Sequence, residues 1–325
     1  MEKLFAQVIG EMSGRLFQLK DTKNVLNVKE KHHYLQKDHE VNIFPAKGVE
    51  LLKIVEAAEK YPWIKKHIPK PSEGYFLRIK ETVKIPLSGC FLIASPKVKQ
   101  KPTNLIVIEE NVQATIRTLC AAELPDLAGS HIGFTKLILK NGSKLRIEHL
   151  HKWGKRDTVI SSLNVLLDKN SQLNYNYKSL QSPRKLGLIT KAEILDNASL
   201  SLTIAVDAMN SKISTKEICK LAGVKSRGEI KLRFVGRDDS YVKALSKILG
   251  IGNEAVGHLD CQGLLLSEFS KIDLIPELVS QNKTVMLTHE ASIGRISEDV
   301  LLYLRSRGLT EEEAINLIVT GFLTK

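Results

Sequence analysis

The chain has 325 residues, with 48 Lys and Arg against 36 Asp and Glu, and a formal net charge of +12. Hydrophobic residues make up 43% and charged residues 26%, the balance of an ordinary folded, water-soluble protein. No apolar run approaches the ~18 residues of a membrane span. No leader-like apolar stretch opens the sequence, and four scattered cysteines are too few for a disulfide framework, so a reducing cytoplasm is the expected setting.

The positive charge divides as +3 over residues 1–75, +10 over 76–290 and −1 over 291–325. Its lysines stand singly, as at Lys136, Lys140 and Lys144, with no zinc-finger spacing, basic-region helix or aromatic ribonucleoprotein motif. Scattered charge of this kind is a solvated surface, so neither nucleic acid nor membrane is an expected partner.

Leu4, Phe5, Val8, Ile9, Met12 and Leu16 fall on one face of a helix, which predicts an amphipathic helix at the start. A second helix is predicted over Val49 to Lys60, closed by Tyr61-Pro62, because proline disfavours helix in the residue before it. A Pro/Lys-rich stretch from Lys66 to Ser72 reads as a connection. Residues 1–75 are thus expected to form a helical N-terminal domain.

From about Tyr75 the pattern changes to short β-rich runs separated by tight polar turns. Asn141-Gly142-Ser143 leads into Leu145 and Ile147, Asn170-Ser171 into Leu173, Tyr175 and Tyr177, and Asn197-Ala198-Ser199 into Leu200, Leu202 and Ile204. Leu145, Leu173 and Leu200 recur at a period of about 28 residues, and the step from Val242 to Val256 is half of it. A fixed period with alternation inside each unit predicts a β-solenoid, in which stacked coils share one core that no coil could bury alone. A β-sandwich with regularly spaced turns is the competing architecture. Ser214 to Gly223, with Ser214 and Glu217 as a capping box, is expected to interrupt the array as a short helix.

Two helices are predicted at the C-terminal end. Ser297 caps the first, Val300, Leu301 and Leu304 form its apolar face, and Gly308 stops it. Thr310 with Glu313 opens the second, and Gly321 is expected to end it. Their apolar faces must rest on the solenoid or on a partner.

Nucleotide-hydrolysing and common hydrolase motifs are missing: there is no phosphate loop, G-x-G-x-x-G, G-x-S-x-G, H-E-x-x-H or C-x-x-C. His149 and His151 share one side of a predicted strand and Glu148 takes the other, because side chains alternate. With no third ligand evident nearby, this pair beside Trp153 reads as near-surface polar residues. Cys261 lies on a predicted strand, and His289-Glu290 follows it by one full repeat. In a solenoid that spacing stacks residues on neighbouring strands ~4.8 Å apart. A thiolate, an imidazole and a carboxylate gathered there would suit iron or an activated sulfur, and a nearby cation or metal would lower the thiol pKa. The same cysteine also reads as one more small buried hydrophobe.

The run His289-Glu290-Ala291-Ser292-Ile293-Gly294-Arg295-Ile296-Ser297-Glu298-Asp299, then Leu302-Tyr303-Leu304-Arg305-Ser306-Arg307-Gly308-Leu309, Glu311-Glu312-Glu313-Ala314 and Gly321-Phe322, strongly resembles the SufB/SufD family of iron–sulfur cluster assembly proteins. The resemblance is strongest from about Arg227 onward. It implies a mainly β fold, a right-handed parallel β-helix over 76–290 flanked by helical parts at 1–75 and 291–325. It also implies a C-terminal segment that docks a SufC-like ABC-type ATPase through Leu301, Tyr303, Leu304, Arg305, Arg307 and Gly308. Cys261 and His289 match the SufB cysteine and the histidine of its His-Glu-Ala motif at the same one-repeat spacing, and Glu290 matches a carboxylate ligand; the three are the implied ligands of an iron–sulfur cluster, 4Fe-4S in preference to 2Fe-2S. Thr288 stands where larger SufB chains carry glutamate, and Leu-x-Tyr-Leu-Arg-Ser-Arg-Gly has SufD character.

The expected role is a non-enzymatic scaffold that builds a cluster with the ATPase, receives sulfur from a cysteine desulfurase or other donor, and passes the product to apo-proteins. It is expected to pair with itself or with a SufB/SufD paralogue. Cys90, Cys120 and Cys219 are candidates for receiving persulfide, without a feature that separates them. The alternative is a SufD-like partner that binds the ATPase and aids iron delivery without holding the cluster. A solenoid polysaccharide enzyme would want a row of acidic or aromatic residues along one groove, which the sequence lacks.

Overall fold

The computed structural model describes residues 33–324, so the amphipathic helix expected over Leu4 to Leu16 lies outside the described residues. The described part starts with two antiparallel pairs, β1 (Tyr34–Lys37) with β2 (Glu40–Ile43) and β3 (Val49–Lys53) with β4 (Tyr75–Ile79). Helix α1 (Ile54–Lys60) and a 3-10 turn (Pro62–Lys66) lie between β3 and β4. The helix expected from Val49 therefore begins at Ile54. Val49–Lys53 is instead a strand, drawn out by pairing with β4, a tertiary contact that overrides local helical periodicity.

Parallel strands follow: β5 (Leu87–Ile93), β6 (Lys99–Gln100), β7 (Thr103–Ile108), β8 (Gln113–Ala122), β9 (Ser130–Leu139) and β10 (Lys144–Lys152). The array continues through β11 (Thr158–Leu167), β12 (Gln172–Gln181), β13 (Lys185–Ile194), β14 (Ser199–Met209) and β15 (Lys212–Leu221). It ends with β16 (Arg227–Arg237), β17 (Tyr241–Gly250), β18 (Val256–Leu265), β19 (Lys271–Ser280) and β20 (Met286–Arg295). One ten-stranded sheet runs β2-β1-β5-β8-β10-β12-β14-β16-β18-β20, and the facing sheet runs β19-β17-β15-β13-β11-β9-β7-β4-β3. Each coil thus gives one strand to each sheet, the β-solenoid that the repeat foretold, in the parallel β-helix form that the resemblance implied.

Corners fix the coils. Asn111, Gly142, Asn170, Asn197, Lys225 and Glu254 occupy equivalent corners with positive φ, a conformation that asparagine and glycine tolerate best. The corner amide of Asn170 donates to Asp196 O, that of Asn197 to Val224 O and that of Lys225 to Asn253 O, so each of these corners is tied to the next coil. At Gly252 a Cβ would lie 1.8 Å from Gly223 O, so the close stacking of these two turns requires glycine.

Inside the tube, alternate residues of both sheets form one continuous core, including Leu137, Leu167, Ile194, Leu232, Phe234 and Ile248. Burying an aliphatic or aromatic side chain of this size stabilises the fold by about 1.5–3 kcal/mol. The helix expected over Ser214 to Gly223 is absent: that segment is β15, with Ile213, Thr215, Glu217, Cys219 and Leu221 all buried on one side. Its period of two decides the structure against the Ser214/Glu217 capping signal.

Two helices follow the tube, α2 (Glu298–Ser306) and α3 (Glu311–Thr324). Thr310 and Glu313 form the expected capping box, with the Glu313 carboxylate accepting from Thr310 N and Oγ1. Helix α3 runs through Gly321, which does not stop it. It packs Val319 and Leu323 onto Ala205, Val235 and Leu264 on the outer face of β14, β16 and β18.

Candidate functional site

Two groups of thiol and imidazole side chains stand at different levels of the tube. The first lies at its last coil. Cys261 of β18 faces inward with Leu259 and is buried. On β20, Ala291 is the register partner of Cys261, His289 that of Leu259, and Glu290 that of Asp260. The expected one-repeat stacking of His289 on Cys261 is therefore corrected. This coil is longer than the sequence repeat, with Val256 paired to Met286, so His289 falls two positions short of the place above Cys261.

His289 nevertheless shares the inward side with Cys261, and strand geometry puts their Cα atoms about 8 Å apart. Glu290 takes the opposite, outer side, where its Oε1 lies 3.7 Å from His258 Nε2; His258 Nδ1 is 2.8 Å from Thr288 Oγ1. The three residues do not converge within one chain. His289 and Glu290 are exposed, and among the described residues no further coil covers β20.

Around Cys261 the interior is polar. Ser246 Oγ and Thr215 Oγ1 donate to Glu217 Oε2 at 3.0 and 3.1 Å, all three residues being buried. Burial pushes the Glu217 carboxyl up to about 8. Desolvation, reinforced by the negative charges of Glu217 and Asp260, pushes the Cys261 thiol up to about 12, against weaker opposite pulls from Arg233 and Ser246. In the resting protein burial thus outweighs the nearby Arg233 cation, and Cys261 holds its proton at neutral pH. Arg233, buried on the outer side, grips the Asp260 carboxylate with both terminal nitrogens.

The second group lies deeper. His149 and His151 of β10 point inward, in line with Leu145, Ile147 and buried Trp153, while Glu148 faces out to Arg117 and Arg146. They are interior residues, which corrects the near-surface expectation. A third side chain of a metal-ligating type stands beside them: Cys120 of β8 is the register partner of His151. Cys120 Sγ lies 3.3 Å from His149 Nε2, and His149 Nε2 lies 2.9 Å from His151 Nε2. One donor atom from each residue fits within a 4.8 Å span.

The remaining ring nitrogens are held by the next strand, with Tyr175 OH 2.6 Å from His149 Nδ1 and Tyr177 OH 2.7 Å from His151 Nδ1. Burial lowers His149 to about 4 and His151 well below its usual value, so both rings are neutral at pH 7. Inward parity was legible from the two-residue spacing of the histidines. Cys120 was hidden because its coil, which pairs Gln113 with Lys144, is longer than the sequence repeat.

The C-terminal helices divide. Helix α3 rests on the tube, whereas α2 buries none of its side chains. Leu301 and Leu304 are half-buried, and Tyr303, Arg305, Arg307 and Gly308 are exposed. The Arg307 guanidinium sits 5.3 Å from the Tyr303 ring centre, and Arg305 pairs with Glu311 at 3.5 Å. Among the described residues no helix is long and apolar enough to cross a membrane.

Residues 91–322 match the family model described as the SUF system FeS cluster assembly, SufBD core domain. An iron-sulfur cluster assembly SufBD family protein of Archaeoglobus fulgidus is 31% identical, over 97% of this chain and 93% of its own length. A Methanothermobacter thermautotrophicus protein of the same description is 29% identical over 86% and 74%. The iron-sulfur cluster assembly protein SufB of Bacillus subtilis is 26% identical over 78% of this chain, which spans only 55% of that protein. A β-helix built coil by coil as the repeat required, carrying the His-Glu-Ala run at its last strand and matched by that model over most of its length, belongs to the SufBD family of the SUF iron–sulfur cluster assembly system.

Proposed function

We propose that the chain is a non-enzymatic scaffold on which a nascent iron–sulfur cluster is assembled as cargo at the open end of the β-helix, and that it then passes the cluster to apo-proteins. The observation that carries this reading is the pair formed by Cys261 and His289 on the inward side of the last two strands of one sheet, with no coil beyond them among the described residues. A thiolate and an imidazole are both iron ligands, and iron would displace the proton that Cys261 holds at rest. Glu290, on the other side of β20, serves at the rim.

Among the described residues β20 is the outermost strand of its sheet, and its edge, with exposed Met286 and Ile293, suits strand pairing with a second copy or a paralogue. Such a pairing encloses the site and doubles its ligands. Helix α2, with Tyr303 57% and Leu302 59% exposed, is the docking face for a SufC-like ABC ATPase, which supplies the ATP hydrolysis. Sulfur comes from a cysteine desulfurase or an equivalent donor.

Anaerobic reconstitution with ferrous iron and sulfide tests this. Wild type is expected to retain cluster iron and sulfide, of the 4Fe-4S type, and Cys261→Ala and His289→Ala to retain about a tenth or less. Equal retention by Cys261→Ala overturns the ligand assignment. The separation of Glu290 from the other two residues favours a second reading, a SufD-like subunit that binds the ATPase and holds no cluster. Wild type that binds the ATPase yet retains no iron selects that reading.

A further inference from the structure

The interior group of Cys120, His149 and His151 is unused by the end-coil site and stands several coils away from it, on β8 and β10 rather than β18 and β20. We propose that these three residues form a separate mononuclear site for a borderline divalent transition metal, of the zinc or ferrous class, inside the β-helix. The argument rests on donor chemistry and on where the lone pairs point.

One thiol sulfur and two imidazole nitrogens form a close triangle, with Sγ to Nε2 of 3.3 Å and Nε2 to Nε2 of 2.9 Å. Ligands at ~2.3 Å for sulfur and ~2.0–2.1 Å for nitrogen around one ion lie at similar separations from each other. The ring planes stand nearly perpendicular, at 84°, yet both rings present the same nitrogens to the same kinds of partner. Each Nδ1 is at hydrogen-bond distance from a tyrosine hydroxyl, that of half-buried Tyr175 for His149 and of buried Tyr177 for His151. When Nδ1–H donates to that hydroxyl, Nε2 carries a lone pair, and the two lone pairs then face each other across 2.9 Å. A cation between them removes that repulsion. Partners on the second ring nitrogen are what ordinarily fix the tautomer and orientation of metal-binding histidines.

Each residue is also placed by backbone that the fold over-determines. Cys120 and His151 are register partners on neighbouring strands, as are His149 and Tyr177. Trp153 packs edge-on to His151 with ring centres 5.6 Å apart, and its buried Nε1–H has no acceptor among the described residues. A polar group beside a three-ligand ion, such as the water of an open fourth position, would supply one. Metal binding converts the Cys120 thiol to thiolate and releases one proton to solvent, with no change of oxidation state.

The alternative is a metal-free cluster in which one His Nε2–H donates to the other. The test uses the full chain carrying Cys261→Ser, so that no signal comes from the end-coil cysteine, purified anaerobically and freed of metal with a chelator. Titration with Co2+ is expected to give one ion per chain, a thiolate-to-cobalt charge-transfer band in the near ultraviolet and tetrahedral visible bands. Zn2+ is expected to displace the cobalt, and zinc X-ray absorption to show one sulfur and two imidazoles around the metal. Adding Cys120→Ser is expected to abolish the charge-transfer band, His149→Gln or His151→Gln to weaken binding by at least ~10-fold, and Tyr175→Phe by a smaller factor. Absence of the band from the Cys261→Ser chain, or a zinc shell without sulfur, overturns the proposal, and neither result depends on a Cys120 or histidine variant folding. Persistence of the band after Cys120→Ser in a folded chain overturns it too.

Discussion

The two thiol–imidazole groups differ in how much of the molecule holds them. Cys120, His149 and His151 have strands on either side, and tyrosines of β12 secure both rings. His289 and Glu290 lie on β20, which among the described residues has a neighbour on one edge only, and their side chains are exposed. In a stacked array each coil is stabilised by the coils on either side, so the interior group is built to stay as it is and the end group is free to accept something. One tube thus offers a position flanked by strands on both sides in its middle and, among the described residues, one flanked on a single side at its end.

The contrast is broken most severely by removing packing from the interior. Trp153→Ala deletes a fully buried indole and is expected to cost about 3–5 kcal/mol in chemical denaturation. A cost under about 1 kcal/mol would mean that the interior group is no better supported than the end one.

Glu217 comes next. Burial holds its folded-state carboxyl at about 8, above the ~4.3 of the unfolded chain, so the folded protein keeps a proton that the unfolded chain releases. That contribution is complete below about pH 4 and is lost as pH rises through 8. Wild type is therefore expected to lose about 2–3 kcal/mol between pH 6 and pH 9 relative to Glu217→Gln. Parallel pH–stability curves for the two proteins would contradict the buried, proton-holding carboxyl.

Smaller effects sharpen the other side. Thr310→Ala removes the capping box of α3 and is expected to cost about 1 kcal/mol in thermal or chemical unfolding. His289→Ala, at an exposed position, is expected to change stability by less than about 0.5 kcal/mol while cutting retained iron. Tyr303→Ala is expected to leave stability within the same ~0.5 kcal/mol and to weaken binding of the ATPase in a co-purification assay. A loss of fold in either variant would contradict the exposure of that end.

Much of this arrangement was readable in advance, for specific reasons. Asn170 and Asn197 mark corners because few residues accept positive φ, and a repeated corner announces a coil. The capping box at Thr310 is local chemistry and appears as expected. Coil length is another matter. Corners absorb extra residues without disturbing the ladder, so the offset between stacked strands drifts. It is wider at β8–β10, where Gln113 pairs with Lys144, and at β18–β20, where Val256 pairs with Met286, than at β10–β12, where Lys144 pairs with Gln172. That drift concealed Cys120 beneath His151 and put His289 two places from its expected position. The Ser214–Gly223 segment failed differently: Ser214 and Glu217 imitate a helix start, but Glu217 is an interior acid on a strand. At Val49 the pairing with β4, invisible to local periodicity, moved the helix start to Ile54.

Helix α3 has a bearing on biosynthesis. It lies across β14, β16 and β18, whose Ala205, Val235 and Leu264 it shields. Strands can stack progressively as they leave the ribosome, yet this greasy strip stays bare until the Glu311–Thr324 segment has been translated. During that interval a nascent chain offers three neighbouring strands of one sheet to chaperones, or to a sister polypeptide on the same message.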